Sequence, residues 1–350
     1  MSEGVQSPQA PSSVPPIAIA PRARGWWRLV LAVLLALAVP LVAQLRVIVP
    51  IEQTVLFIGP AMAACALAGW MRGGRFWLFI AWGGLAIWML SVRIPGAGTF
   101  DPLSRGWVLI LAAAFGLMCV LGREKSFFPR ALAATAVALG VSVLLLLAGR
   151  SRLDDLGRSV ASEFSRRLDV VTREYEARSR TPEWQEFARK FPNATAVIDQ
   201  GEQQLPEMAR GALTVFPALL GLQSLALLAL SWALFHRASR ARIGPPLHSL
   251  AEFRFSDQLV WGMVLGVTLL VVPSLREARN VGLNLVVFFG ALYALRGLGV
   301  LSWFLAPGRP TPVLLVMAAV IAGPVVGIFS LGLGLADTWI DWRGRMRSAT

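Results

Sequence analysis

ALAATAVALGVSVLLLLAG, residues 131–149, is a stretch without a single charged side chain. As a helix rising 1.5 Å per residue it is about 28 Å long, the thickness of the hydrocarbon core of a bilayer. Lipid offers the backbone no hydrogen-bond partners, so such a stretch crosses as a helix, which satisfies its own amides. Working outward with the same ruler gives spans near 27–44, 54–71, 76–92, 106–122 and 130–149. After a polar interruption come 211–235, 258–273, 280–305 and 311–335. The pattern predicts an all-α polytopic transmembrane helix bundle of about nine spans.

Composition agrees. Of the 350 residues 56% are hydrophobic and 15% charged, against about 25% charged in a soluble domain. The chain divides into a Pro/Ser-rich tail (1–25) with Pro8, Pro11, Pro15, Pro16 and Pro21, expected to be disordered, a first bundle (26–149), a charged segment (150–210), a second bundle (211–337) and a basic tail (338–350).

The segment 150–210 carries eleven basic and eleven acidic residues, so the net charge of +13 comes from the rest of the chain. Those basic residues sit in short connections between apolar runs, not in a patch with interleaved aromatics, which argues against nucleic acid as a partner. Membrane lipids are the expected surroundings. Nine spans put thirteen Arg and Lys residues on the N-terminal side and eight on the other, leaving the charged segment aside. By the positive-inside rule the N-terminus is then cytoplasmic and 150–210 extracytoplasmic. The eight include Arg343, Arg345 and Arg347 of the basic tail.

Within the charged segment Leu153, Leu156, Val160, Phe164, Leu168, Val171 and Tyr175 recur every three or four positions, the mark of an amphipathic helix. Thr181-Pro182 ends it, and a shorter helix with Trp184, Phe187 and Phe191 precedes Pro192-Asn193, giving an amphipathic helical hairpin. The stripe has three readings: a lid over a cavity, a contact with a second copy, or internal packing. Asn193-Ala-Thr195 matches a glycosylation sequon and reads as chance occurrence in a turn.

Enzymatic parts are missing. The chain has no HExxH, no P-loop and no GxSxG. Its histidines, His236 and His248, share one connection, and Cys65 and Cys119 lie in separate apolar runs as small buried hydrophobes. No enzyme activity, metal or cofactor is expected. Acidic residues outside 150–210 avoid mid-span positions, which speaks against a proton relay. Arg296 stands out, about 14 Å from the end of its span by helical rise, at a depth where a charge needs a partner, a cavity or an escape to the interface. Glu124 is the nearest carboxylate on that side by span count. Arg296, Asn284 and Gln223 are the candidate ligand-binding residues. Gly262-x-x-x-Gly266 and Gly323-x-x-x-Gly327 have the spacing of close helix packing. Asp337 and Asp341, one turn apart, are placed to cap, to pair with basic connections or to bind a cation.

Three pieces together resemble the YybS-type family of uncharacterised bacterial multi-pass membrane proteins. They are Thr214-Val-Phe216-Pro217-Ala-Leu-Leu220, Pro245-Pro246-Leu-His-Ser-Leu-Ala-Glu-Phe253-Arg-Phe255, and the ending Asp337-x-Trp339-x-Asp341-x-Arg343. That family is distantly similar to the substrate-binding subunits of energy-coupling-factor vitamin transporters. The resemblance implies a small molecule bound or transported within the bundle and a membrane energising partner. The competing expectation is a non-transporting assembly or scaffold protein that acts through the 150–210 hairpin. The first predicts a cavity near Arg296, Asn284 or Gln223. The second predicts a solid bundle and an exposed apolar stripe on the hairpin.

Overall fold

The computed structural model describes residues 26–38, 43–49, 51–92, 98–122, 125–149, 153–305 and 323–347. The tail 1–25 and Glu124 lie outside them. The described residues are helical: α1 (Trp26–Ala38), α2 (Ala43–Ile48), α3 (Ile51–Trp70), α4 (Phe76–Ser91), α5 (Phe100–Leu121), α6 (Phe127–Ala148), α7 (Leu153–Ser179), α8 (Pro182–Lys190), α9 (Pro192–Thr214), α10 (Phe216–Ala238), α11 (Val260–Val271), α12 (Arg279–Phe304), α13 (Gly323–Ile340) and α14 (Trp342–Arg347). Among the described residues four helices, ending in Leu121, Ala148, Ala238 and Phe304, are long and apolar enough to cross a membrane, and four shorter apolar helices accompany them. The all-α bundle expected from hydropathy is there.

The bundle has two distinguishable ends. At one, the α3–α4 turn lies against the connection 239–259, with Arg72 Nη1 donating to the Arg242 carbonyl at 3.5 Å. The start of α6 reaches the same place, Arg130 Nη1 donating to the Ile243 carbonyl at 2.5 Å. We term this the basic end. At the other, α2 leans on α7 through the ion pair Arg46–Glu174, and Phe100 packs edge-on against Phe216. This is the hairpin end.

A central core joins α3, α5, α6 and α10 around Met62, Cys65, Phe115, Cys119, Leu228 and Trp232. Both cysteines are buried and free, as expected. A second core sits at the hairpin end and answers the question of the stripe. Val160, Phe164 and Val171 pack against Val47 of α2, Phe100, and Leu205 and Ala209 of α9. The stripe is internal packing, so the exposed stripe predicted by the scaffold reading is absent. Inside this core Arg167 bonds Glu163 at 2.8 Å, both side chains under a tenth exposed, and its guanidinium lies over Phe100 and Phe164. Burial alone would raise the Glu163 carboxyl, but hydrogen bonds from Arg166 and the charge of Arg167 outweigh it and hold it below the usual range.

The break at Thr181-Pro182 is where expected, with Thr181 Oγ1 accepting from Trp184 N at 3.3 Å as an N-cap. Asn193, however, lies in the first turn of α9, not in a turn between helices. Pro192 is pre-set for a helix start, which is why the chain resumes as helix there.

The C-terminal part departs most from expectation. Val286, Val287, Gly290, Ala291 and Ala294 share one groove with Gly327, Ile328 and Leu331. Further along, Arg296 meets Asp337 and Phe304 meets Trp342. Numbers rise together on both helices, so α12 and α13 run parallel. By helical rise, Leu305 and Gly323 therefore fall at opposite ends of the pair. The expectation of one span over 311–335 that carries Arg343 away from the end of α12 is corrected, since Arg343 lies at the basic end. Nor is 338–350 simply a tail, because α13 runs to Ile340 and Arg343 is buried.

Candidate functional site: a buried arginine–aspartate network

Arg296 is 3% exposed and Asp337 1%. What lets a guanidinium sit that deep is the approach of α12 to α13. A Cβ on Gly297 would fall 1.8 Å from the Ser330 carbonyl oxygen, and one on Gly334 1.9 Å from that of Tyr293. Only glycine allows two backbones this close, and the contact sets the depth at which Arg296 and Asp337 face each other. The glycine pair identified in sequence at 262 and 266 does pack closely, against Phe289 and Gly282 of α12. Among the described residues the pair at 323 and 327 meets nothing within 4 Å. The close approach is made at 297 and 334 instead.

Every nitrogen of the Arg296 guanidinium is used. Nε donates to Asp337 Oδ2 at 2.9 Å, Nη2 to the Asp337 carbonyl at 3.1 Å, and Nη1 to Asp257 Oδ1 at 2.6 Å. The Phe255 ring lies 5.4 Å from its carbon centre. Arg343, also buried, donates through Nη2 to the same Asp337 oxygen at 2.7 Å. Its Nη1 donates to the carbonyls of Ala251 and Phe253, at 2.9 and 3.1 Å. Arg254 pairs with Asp341 beside it. Three arginines thus face three aspartates, a locally neutral cluster binding α12, α13, α14 and the connection 250–257 together. A buried carboxylate between two guanidiniums is stable only as such a matched set.

The expected partner of Arg296, Glu124, is outside the described residues, and the partners seen are Asp337 and Asp257. The assumed chain direction put Asp337 on the opposite side, whereas Asp257 lay on the expected side and was passed over for Glu124. A usable signal is present in the spacing of Asp337 and Asp341, one turn apart: Asp341 pairs with the basic connection through Arg254, while Asp337 pairs with Arg296 of α12 and Arg343 of α14.

The three candidate ligand residues are not brought together. Asn284 lies twelve residues before Arg296 on α12, about 18 Å away by helical rise. Its Oδ1 accepts from Ala218 N at 2.9 Å, and its Nδ2 donates to the carbonyls of Thr214 and Asn280, at 3.0 and 2.8 Å. Pro217 interrupts the chain between α9 and α10, and this one amide serves an orphan donor and an orphan acceptor of the break. Gln223, on α10, has a buried Nε2 without a hydrogen-bond partner among the described residues. The α12–α13 groove, about 300 Å³, is lined by apolar side chains and glycine and includes none of the three. Among the described residues no group of three His, Cys, Asp or Glu side chains is arranged to hold a metal.

A family model described as "Predicted membrane protein (DUF2232)" matches residues 58–338. Among curated proteins and among solved structures nothing matches the chain. The match carries the earlier resemblance as far as an uncharacterised family of membrane proteins, and says nothing of energy-coupling subunits or of a substrate.

Proposed function

We propose, from the premise that the chain belongs to the DUF2232 family of predicted membrane proteins, that it is a non-transporting assembly protein of the bacterial inner membrane. The observation that carries this reading is the saturation of Arg296 and Asn284. Two of the three candidate ligand residues are spent on holding helices together. A transport protein spends such groups on its cargo.

In this reading the working surface is the α7–α9 unit, braced on the bundle by its own apolar core. With the stripe buried, its large apolar exposure lies instead at Val170, Phe191, Val197 and Ile198, with Val197 69% exposed. A membrane-anchored partner protein is the fitting occupant of such a surface, and no catalysis is assigned. Orientation gains support from the fold: with Arg343, Arg345 and Arg347 at the basic end, the margin of thirteen to eight becomes sixteen to five. The basic end is then cytoplasmic, with the N-terminus, and α7–α9 lies outside.

The test is photocrosslinking in native membranes from positions 197 and 198, with positions 264 and 265 on the exposed face of α11 as reference, alongside mass spectrometry of small molecules retained by the purified protein. The reading expects one discrete protein adduct from 197 and 198, abolished by Phe191→Asp, and no stoichiometric small molecule. A stoichiometric small molecule that is lost with Gln223→Leu, and no adduct, would overturn it.

A further inference from the structure

Independently of that reading, the other half of the basic end has an unusual charge. The segments 70–76, 122–130 and 237–246 contain seven arginines and one lysine against one acidic residue, Glu124. In sequence these lie far apart, in three separate connections. The fold gathers them. A Cβ on Gly74 would fall 2.9 Å from Ala241 Cβ, Arg72 reaches the carbonyls of Cys119 and Arg242, and Arg130 reaches that of Ile243. Arg75, Lys125 and Arg240 are exposed on the resulting surface.

Aromatic side chains border the cationic surface where α3 turns into α4. Trp70 stacks on Phe79 with centroids 5.6 Å apart and tilts against Phe76 at 5.1 Å, and Trp77 is 79% exposed. Amphipathic rings of this kind settle at the level of lipid headgroups, so the cations beside them stand at phosphate depth. Gly73, at φ +82°, makes the turn tight and leaves open space where a side chain would stand. We propose that the junction of the α3–α4 turn with residues 239–244 seats the headgroup of an anionic phospholipid. The arginines meet the phosphate, and the aromatic shelf lies along the upper acyl chains. Charge complementarity selects this occupant, and the aromatic shelf distinguishes it from a free anion, which has no chains to lay there.

Native mass spectrometry of the full chain, released from micelles holding equal amounts of phosphatidylglycerol and phosphatidylcholine, tests this. The wild type should retain phosphatidylglycerol in preference. Arg75→Gln with Arg240→Gln should weaken that retention about 25-fold, about five-fold for each cation near an anionic surface. Arg158→Gln, on an exposed side chain at the hairpin end, should change nothing, and millimolar inorganic phosphate should not displace the lipid. Equal retention of the two lipids, an unchanged double variant, displacement by phosphate, or RNA held in place of lipid would each overturn the proposal.

Discussion

The two halves of the basic end use the same residue for opposite purposes. Around α12 and α13 three arginines face three aspartates, and Arg296 and Arg343 are buried. Around the α3–α4 turn, residues 122–130 and residues 237–246 arginine again dominates, but the sequence supplies one acid to eight bases, and several cations face outward. In the first half the positive charge is cancelled within the protein and serves to join elements. In the second it is left as a field that membrane or solvent must answer. A buried arginine is thus a poor guide to a ligand until its carboxylates have been located.

If that contrast is right, the largest effect comes from removing the shared acid. Asp337→Ala leaves two buried guanidiniums facing each other and should cost about 3–5 kcal/mol, read as a loss of thermal stability in detergent and of folded yield. A cost under about 1 kcal/mol would mean that the cluster is not the clasp described. Next comes the close approach that positions it. Gly334→Ala places a methyl 1.9 Å from a backbone oxygen and should cost about 1–3 kcal/mol by overpacking, while Gly327→Ala, with nothing within 4 Å among the described residues, should stay within about 0.5 kcal/mol. Equal melting temperatures for the two variants would contradict the crossing at Gly297 and Gly334.

A third arginine–acid pair, at the hairpin end, extends the comparison. The folded-state carboxyl of Glu163 lies below its ordinary 4.5. Its contribution is therefore complete above that value and is lost as pH falls through the lowered one. Amide exchange along α7 should quicken below about pH 4.5, and Glu163→Gln should flatten that dependence. Acid dependence identical in the variant would place the sensitive group elsewhere. The Tyr175 phenol, which donates to Asp199, is pushed up to about 12 and stays neutral throughout this window. The smallest effect belongs to the outward-facing cations: Arg240→Gln should alter stability by less than about 0.5 kcal/mol in a thermal melt. A clear destabilisation would show that this half, too, is held by its charges.

How legible this molecule was follows from which forces are local. Residues 131–149 carry no charge, and the helix found there needed no knowledge of neighbours. Thr181-Pro182 combines an N-cap with a fixed φ, and the break fell where expected. The direction of α13 was a different matter. It depends on how many times the chain crosses before reaching it, and no side chain within 323–340 records that number. One miscounted crossing moved Asp337 and Arg343 to the wrong end and hid one of the two partners of Arg296. The partners of Asn284 were hidden for a related reason. Its amide serves a helix break 70 positions earlier, at Thr214 and Ala218, and nothing in its own helix announces the debt. The convergence of basic connections at the α3–α4 turn was equally invisible, because periodicity describes one element at a time.

The central claim is that the charge of Arg296 is answered by Asp337 inside the protein. A double-mutant cycle with Arg296→Met, Asp337→Leu and the pair, read by thermal unfolding in one detergent, measures that coupling directly. The account predicts a coupling of at least about 2 kcal/mol, with the double variant more stable than Asp337→Leu alone. Additive losses, with Arg296→Met leaving the melt unchanged, would contradict it and return Arg296 to the list of groups awaiting a ligand.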